Sequence, residues 1–209
     1  MNKTNYAKLC EEELEKEGTR EKTLLLHSCC APCSSYCLTF LHDKIKIKDF
    51  YYNPNILEKE EYEKRENELK RLIEVLKEEY KEADIGFVKG DFESDKFLGE
   101  VKGLESEPEG GKRCEKCFRL RLKEAAGKAK ELGADYFGTT LTISPLKNAE
   151  LINTIGFEIE KEIGVKYLPS DFKKNDGYKQ SIELSRKYGL YRQNYCGCPY
   201  SKREENKNG

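Results

Sequence analysis

The chain has 209 residues, 37% of them charged and 37% hydrophobic, with a net charge of −1. That length suits one well-filled core better than two ordinary domains, and the near-neutral charge argues against a non-specific nucleic-acid binder. No stretch approaches a membrane span and no secretory leader opens the chain, so a cytoplasmic protein without a membrane partner is expected.

The opening stretch predicts a helix over 5–17, within an N-terminal extension over 1–20. The apolar run TLLLH over 23–27 predicts the first core strand, which leads straight into HSCCAPCSSYC. Pro32 lacks an amide proton and suits the first turn of a helix carrying residues 34–41. Alternating Ile and Lys predict a second strand over 45–52, with Asn53, Pro54 and Asn55 as the turn at its carboxyl end. Tyr62, Leu69, Leu72, Ile73, Leu76 and Tyr80 share one stripe of a helix over 60–80. A third strand is expected over 84–88, followed by a long loop over 99–111 that covers the site. Phe118, Leu122, Ala125, Ala129 and Leu132 mark one face of a helix that Gly133 ends. Strands over 135–141 and 165–168 and helices over 148–163 and 177–188 complete the pattern, the first of these helices weakened by Gly156. Strands alternating with helices predict an α/β domain over 21–198: a mostly parallel sheet, helices on both faces, and reactive groups beyond the carboxyl ends of the strands. A polar tail over 199–209 follows.

Eight of the nine cysteines fall into tight groups: Cys29, Cys30, Cys33 and Cys37, then Cys114 and Cys117, then Cys196 and Cys198. Cys10 stands apart. In a reducing cytosol such grouping points to metal ligation, thiol redox chemistry or both. The adjacent side chains of Cys29 and Cys30 diverge, so a cubane cluster accommodates them more readily than one tetrahedral zinc. Cys29, Cys30, Cys114 and Cys117 then supply four thiolates for a 4Fe-4S cluster. Zinc bound by four thiolates is the alternative, but it leaves Cys33, Cys196 and Cys198 without a task. The spacing of Cys30, Cys33 and Cys37 reverses that of radical-SAM enzymes and argues against their chemistry. Cys196 and Cys198, separated by one glycine, read either as a strained, readily reduced dithiol or as two metal ligands. Thiols and proline stand after the first strand, where an ATP-pyrophosphatase carries SGGxDS, which argues against a phosphate loop. Residues 112–130 hold eight basic and two acidic side chains, either a face for an RNA backbone or an ordinary solvated helix face.

Six blocks carry a resemblance: LLLHSCCAPC at 24–33, YYNPNI at 51–56, EPEGGKRCEKCFRLRL at 107–122, FGTTLTISPLKN at 137–148, SDFKKNDGYKQSIELS at 170–185 and LYRQNYCGC at 190–198. Together they resemble the QueH family of cobalamin-independent epoxyqueuosine reductases. The resemblance implies reduction of the epoxide of epoxyqueuosine at the tRNA wobble position, in a single HUP-like (Rossmann-like) domain. It also implies a 4Fe-4S cluster on Cys29, Cys30, Cys114 and Cys117, an adjacent mononuclear iron, and Cys196 with Cys198 as the redox-active pair. The implied partners are tRNA bearing epoxyqueuosine in its anticodon and an unidentified electron donor. Cys10 and Cys37 lie outside the matched blocks' chemistry and are taken as structural or incidental.

Within that chemistry Cys33 is the expected ligand of the second iron, and Asp91 a carboxylate ligand or acid. His27 reads either as a proton donor or as a strand-end hydrogen-bonding group. Tyr51, Tyr52, Tyr191 and Tyr195 are candidates for stacking on anticodon bases. Lys112, Arg113, Lys116, Arg119, Lys173, Lys174 and Arg192 are candidates for phosphate contact. An ATP-dependent tRNA-thiolating enzyme and a zinc-stabilised RNA-binding module are the rival functions.

Overall fold

Successive side chains of a strand point to opposite faces of its sheet. In TLLLHS, therefore, Leu24 and Leu26 enter one core while Leu25 enters another. A strand apolar on both faces must be covered on both, the usual condition of parallel sheets. The computed structural model describes residues 4–202 and shows this arrangement. Strands β1 (Thr23–Ser28), β2 (Lys46–Tyr51), β3 (Ile85–Lys89), β4 (Tyr136–Thr139) and β5 (Lys166–Tyr167) form one parallel sheet in the order β3-β2-β1-β4-β5.

Helices α1 (Tyr6–Leu14), α2 (Ala31–Leu41) and α3 (Lys59–Glu79) bury Leu14, Leu38, Leu41, Leu69 and Leu72 in the core with Leu24 and Leu26. The opposite face is covered by α5 (Lys112–Glu131) and α6 (Ala149–Ile163), through Phe118, Leu122, Ile152 and Ile155. The short α4 (Ser94–Glu100) packs on α5, and α7 (Gly177–Lys187) on α2. The chain winds outward from β1 to β3, then returns past β1 to build β4 and β5. Between β1 and β4 the direction of winding reverses, which opens a crevice at the carboxyl ends of those two strands.

Three local features differ from the pattern read in the sequence. Helix α4 precedes the expected loop because Phe97, fully buried, anchors an otherwise exposed turn; burying such a ring stabilises by about 2 kcal/mol. Strand β4 stops at Thr139, whose hydroxyl accepts the Leu141 amide at 3.1 Å and diverts the chain into a 3-10 turn over Thr140–Ile143. Gly156 does not break α6, for it stands where a Cβ would come within 2.4 Å of the Tyr167 ring. The glycine lets helix and β5 approach.

The N-terminal helix is not a loose appendage: Cys10 and Leu14 enter the core, and the Tyr136 hydroxyl donates to Glu13 at 2.7 Å. At the other end Pro199–Ser201 forms a 3-10 turn, and the rest of the expected polar tail, 203–209, lies outside the described residues. Among the described residues, no helix is long and apolar enough to cross a membrane.

Candidate functional site

Strand β1 ends at Ser28, and the next two residues turn the chain into α2. An extended backbone at Cys30 (φ −173°, ψ 161°) opens that helix, and the Cys30 carbonyl accepts both the amide and the hydroxyl of Ser34. The turn brings the Cys29 and Cys30 sulfurs to 3.8 Å, and both lie within 4.8 Å of Cys33 Sγ. This corrects the expectation that the adjacent pair diverges, which holds inside a strand but not where strand becomes helix. The structure also joins Cys33 to the pair rather than setting it apart.

The three thiols act as one acid. Cys30 and Cys33 both donate toward Cys29 and, with Lys147 and Arg121 nearby, hold it well below the usual thiol range against its burial. Its charge in turn pushes Cys30 up to about 11 and Cys33 well above the ordinary value. One proton is therefore lost from the trio before the others, and the thiolate that results is an open metal ligand.

Cys114 and Cys117 stand on the first turns of α5, where Cys114 Sγ accepts the Gly110 amide at 3.2 Å. They line a small chamber with Cys196, Cys198, Phe97 and Phe118. Burial pushes Cys117 up to about 11, whereas the Cys198 thiol donates to Cys196 and, with Lys147 and Ser201, holds Cys196 well below its usual range despite burial. Gly197, between them, has φ 101°, and a Cβ there would come within 2.6 Å of Ile56 Cγ1. Only glycine fits this turn, which the Asn55 side-chain amide fixes by donating to the Cys196 carbonyl at 3.1 Å.

The Cys29–Cys30–Cys33 trio faces a neighbouring cavity of about 300 Å³. Cys196, Arg121, Leu146, Lys147 and Glu109 line both spaces, so the two chambers adjoin. Ile143, Ser144 and Lys147 come from beyond β4, which places the larger cavity in the crevice between β1 and β4. Residues 109 and 110 of the expected covering loop border this region. Cys114 and Cys117 border the second chamber and are not part of the trio. Among the described residues, the trio alone brings three ligand atoms within 4.8 Å of one another.

The polar candidates separate sharply. His27 is fully buried, with Nδ1 2.9 Å from the Thr139 hydroxyl and Nε2 2.9 Å from the Tyr52 carbonyl. Burial, reinforced by Arg121, pulls it down to about 3, so it is a neutral brace of the strand ends and not a proton donor. Asp91 is exposed and lines neither chamber; the carboxylate that does is Glu109. Tyr51 and Tyr52 are core residues whose hydroxyls bond the Tyr62 carbonyl and Glu93. Tyr191 bonds Glu61, whereas Tyr195 lines the larger cavity with Arg65 over its ring at 5.1 Å.

Arg113 is 1% exposed and donates to the carbonyls of Leu104, Glu105 and Glu107. It clamps the loop and is withdrawn from any phosphate. Arg119 is paired with Glu158 of α6 at 2.5 Å, and Lys173 with Asp171 at 2.7 Å. Lys112, Lys116, Lys174 and Arg192 remain exposed, and Arg192 opens onto the larger cavity.

A model of the family described as "Epoxyqueuosine reductase QueH" matches residues 24–204, so it spans all the elements that build both chambers. The chain belongs to the QueH family. A relative of that name from Staphylococcus epidermidis is 44% identical over 204 residues, covering 95% of this chain and 85% of the relative. One from Streptococcus pyogenes serotype M1 is 43% identical over 95% of this chain and 78% of its own length. One from Thermotoga maritima is 38% identical over 86% of this chain and 90% of its own length.

Placed in the QueH frame, the residues that sequence reasoning passed over are Arg65, Glu109, Arg121 and Lys147. Arg121 was within reach: it follows Cys117 by four positions, one helical turn, and so shares its inward face. Lys147 lies in the quoted SPLKN block just past β4, the edge where ligands gather. Nothing in the sequence marks Arg65, which the fold buries against Glu61 at 2.7 Å.

Proposed function

We propose that this protein reduces the epoxide of epoxyqueuosine at the wobble position of tRNA, removing the oxygen with two electrons and two protons and without cobalamin. The observation that carries this reading is the pair of adjoining chambers, lined by seven thiols from three distant segments, in a chain of the QueH family. The donor set fits iron: the trio can hold a metal ion, and the buried Arg121 and half-buried Lys147 suit an anionic metal–thiolate group. Cys29, Cys30, Cys114 and Cys117 would hold a 4Fe-4S cluster and Cys33 a neighbouring iron. When bound, these supply single electrons and a Lewis acid.

The chain's own residues do the rest. Lys147 keeps a positive charge beside the cavity, and Arg192 and Tyr195 at its walls suit the phosphate and the flat base of an extruded nucleotide. The dithiol of Cys196 and Cys198 can deliver two electrons, releasing two protons as it closes to a disulfide, with Cys196 as the more acidic thiol. Exposed Lys112, Lys116 and Lys174 extend the contact to the RNA backbone. The strand order 3-2-1-4-5, all parallel, supports a HUP-like domain over 21–198, with 1–20 and 199–209 as its extension and tail.

The test is anaerobic incubation of iron-reconstituted protein with tRNA carrying epoxyqueuosine, a chemical one-electron reductant and no cobalamin, followed by nucleoside mass spectrometry. Loss of one oxygen atom to give queuosine is the expected result. ATP consumption with sulfur insertion, or a protein that carries zinc and no acid-labile sulfide, overturns the reading.

A further inference from the structure

Three arginines are buried among the described residues, and two have evident anchors. Arg65 is paired with Glu61, and Arg113 is spent on loop carbonyls. Arg121 is different. It is 2% exposed, and its recorded partners are neutral: Nη2 donates to Asn53 Oδ1 at 2.5 Å and Nε lies 3.2 Å from His27 Nε2. No carboxylate pairs with it among the described residues. A buried guanidinium left without an anion is costly, so the fold retains it only where a negative charge is supplied.

Its position is also fixed. Asn53 holds the guanidinium and at the same time donates to the Ser28 carbonyl at 3.0 Å, one residue before Cys29. Cys117 lies one turn earlier on the same face of α5. Arg121 lines both chambers and is tied to two of the three segments that carry their thiols.

We propose that Arg121 is a positioning residue that serves as the built-in counter-ion of the metal–thiolate centre, and that it raises the reduction potential of that centre. The inference rests on the iron–sulfur reading above. A fixed positive charge withdrawn from solvent favours the more negative, reduced state of whatever the thiolates hold. Tethering by a planar fork keeps the charge from turning away, a geometry that lysine reproduces only in part.

The experiment compares Arg121→Met, Arg121→Lys and Asn53→Ala with the wild-type protein after anaerobic reconstitution. Iron and sulfide per chain are measured, with the midpoint potential from a redox titration followed by electron paramagnetic resonance. Arg121→Met is expected to shift the potential in the negative direction or to lose iron. Arg121→Lys should stay near the wild-type value, with Asn53→Ala between them. Full iron content at the wild-type potential in Arg121→Met overturns the inference, as does equal loss of iron from the Met and Lys variants with the fold intact by circular dichroism. If Arg121→Met does not fold, Arg121→Gln is judged by the same two criteria. A wild-type protein that takes up no iron and sulfide overturns the iron–sulfur reading itself, and this is seen before any variant is compared.

Discussion

Asp49 sits on β2 with no exposed surface, and no ion pair reaches it among the described residues. Burial pushes its carboxyl from 3.8 up to about 7, against the smaller opposing pull of the Ser28 hydroxyl. Between those values the unfolded chain is ionised and the folded one is not, so unfolding releases a proton and stability falls as pH rises; above the folded value the penalty is constant. Asp49→Asn should therefore gain stability relative to the wild type between pH 4 and 8, on the order of 4 kcal/mol at the upper end. Urea unfolding of both proteins across that range tests this, and a constant difference would sink it. Cys37 donates to the Cys33 carbonyl at 3.3 Å and Cys10 is held protonated by burial, which pushes it up to about 12. Neither faces a chamber, so Cys10→Ala and Cys37→Ala should keep full iron content and cost about 1–2 kcal/mol each. Loss of iron from either variant would show a ligand where only packing is expected. Residue type and grouping made the remaining seven cysteines legible in the sequence. The acidity of each was not legible, because it depends on distances between sulfurs that only the strand-to-helix turn creates.

At the scale of elements, α5 shows how a charge pattern misleads when it is counted without its period. The run KRCEKCFRLR looks uniformly basic, but Arg113, Cys117 and Arg121 recur every four residues and share the inward face, leaving Lys112 and Lys116 outside. The outward charges Arg119 and Lys123 tie α5 to Glu158 and Glu162 of α6. Arg113→Met should free the loop over 104–107 and destabilise the fold by about 3 kcal/mol through its three orphaned carbonyls. Limited proteolysis should then cut within that loop faster than in the wild type. Unchanged cleavage would mean that Phe97 and α4 hold the loop without the clamp.

For the whole molecule, the alternation of strands and helices announces a parallel sheet, but nothing in it says that β4 returns to the far side of β1. That choice creates the crevice, and it depends on which faces of α2 and α5 are apolar relative to β1. The surface left for RNA is consequently smaller than the count of basic residues implies. Lys112→Glu with Lys116→Glu should weaken tRNA binding and lower its salt dependence by about one unit of slope for each lysine that touches phosphate. Filter binding at several salt concentrations measures this, and turnover at saturating tRNA should hold. An unaltered slope would place the RNA elsewhere. The thiols that line the chambers come from 29–33, 114–117 and 196–198, so they are made far apart in time as well as in sequence. At ordinary rates of synthesis the first three cysteines leave the ribosome on the order of ten seconds before the last two exist. The reactive pocket thus cannot be completed until residue 198 has been made. Its earliest thiols must survive that interval unoxidised, and a chain released before residue 196 leaves them without the dithiol that completes the second chamber.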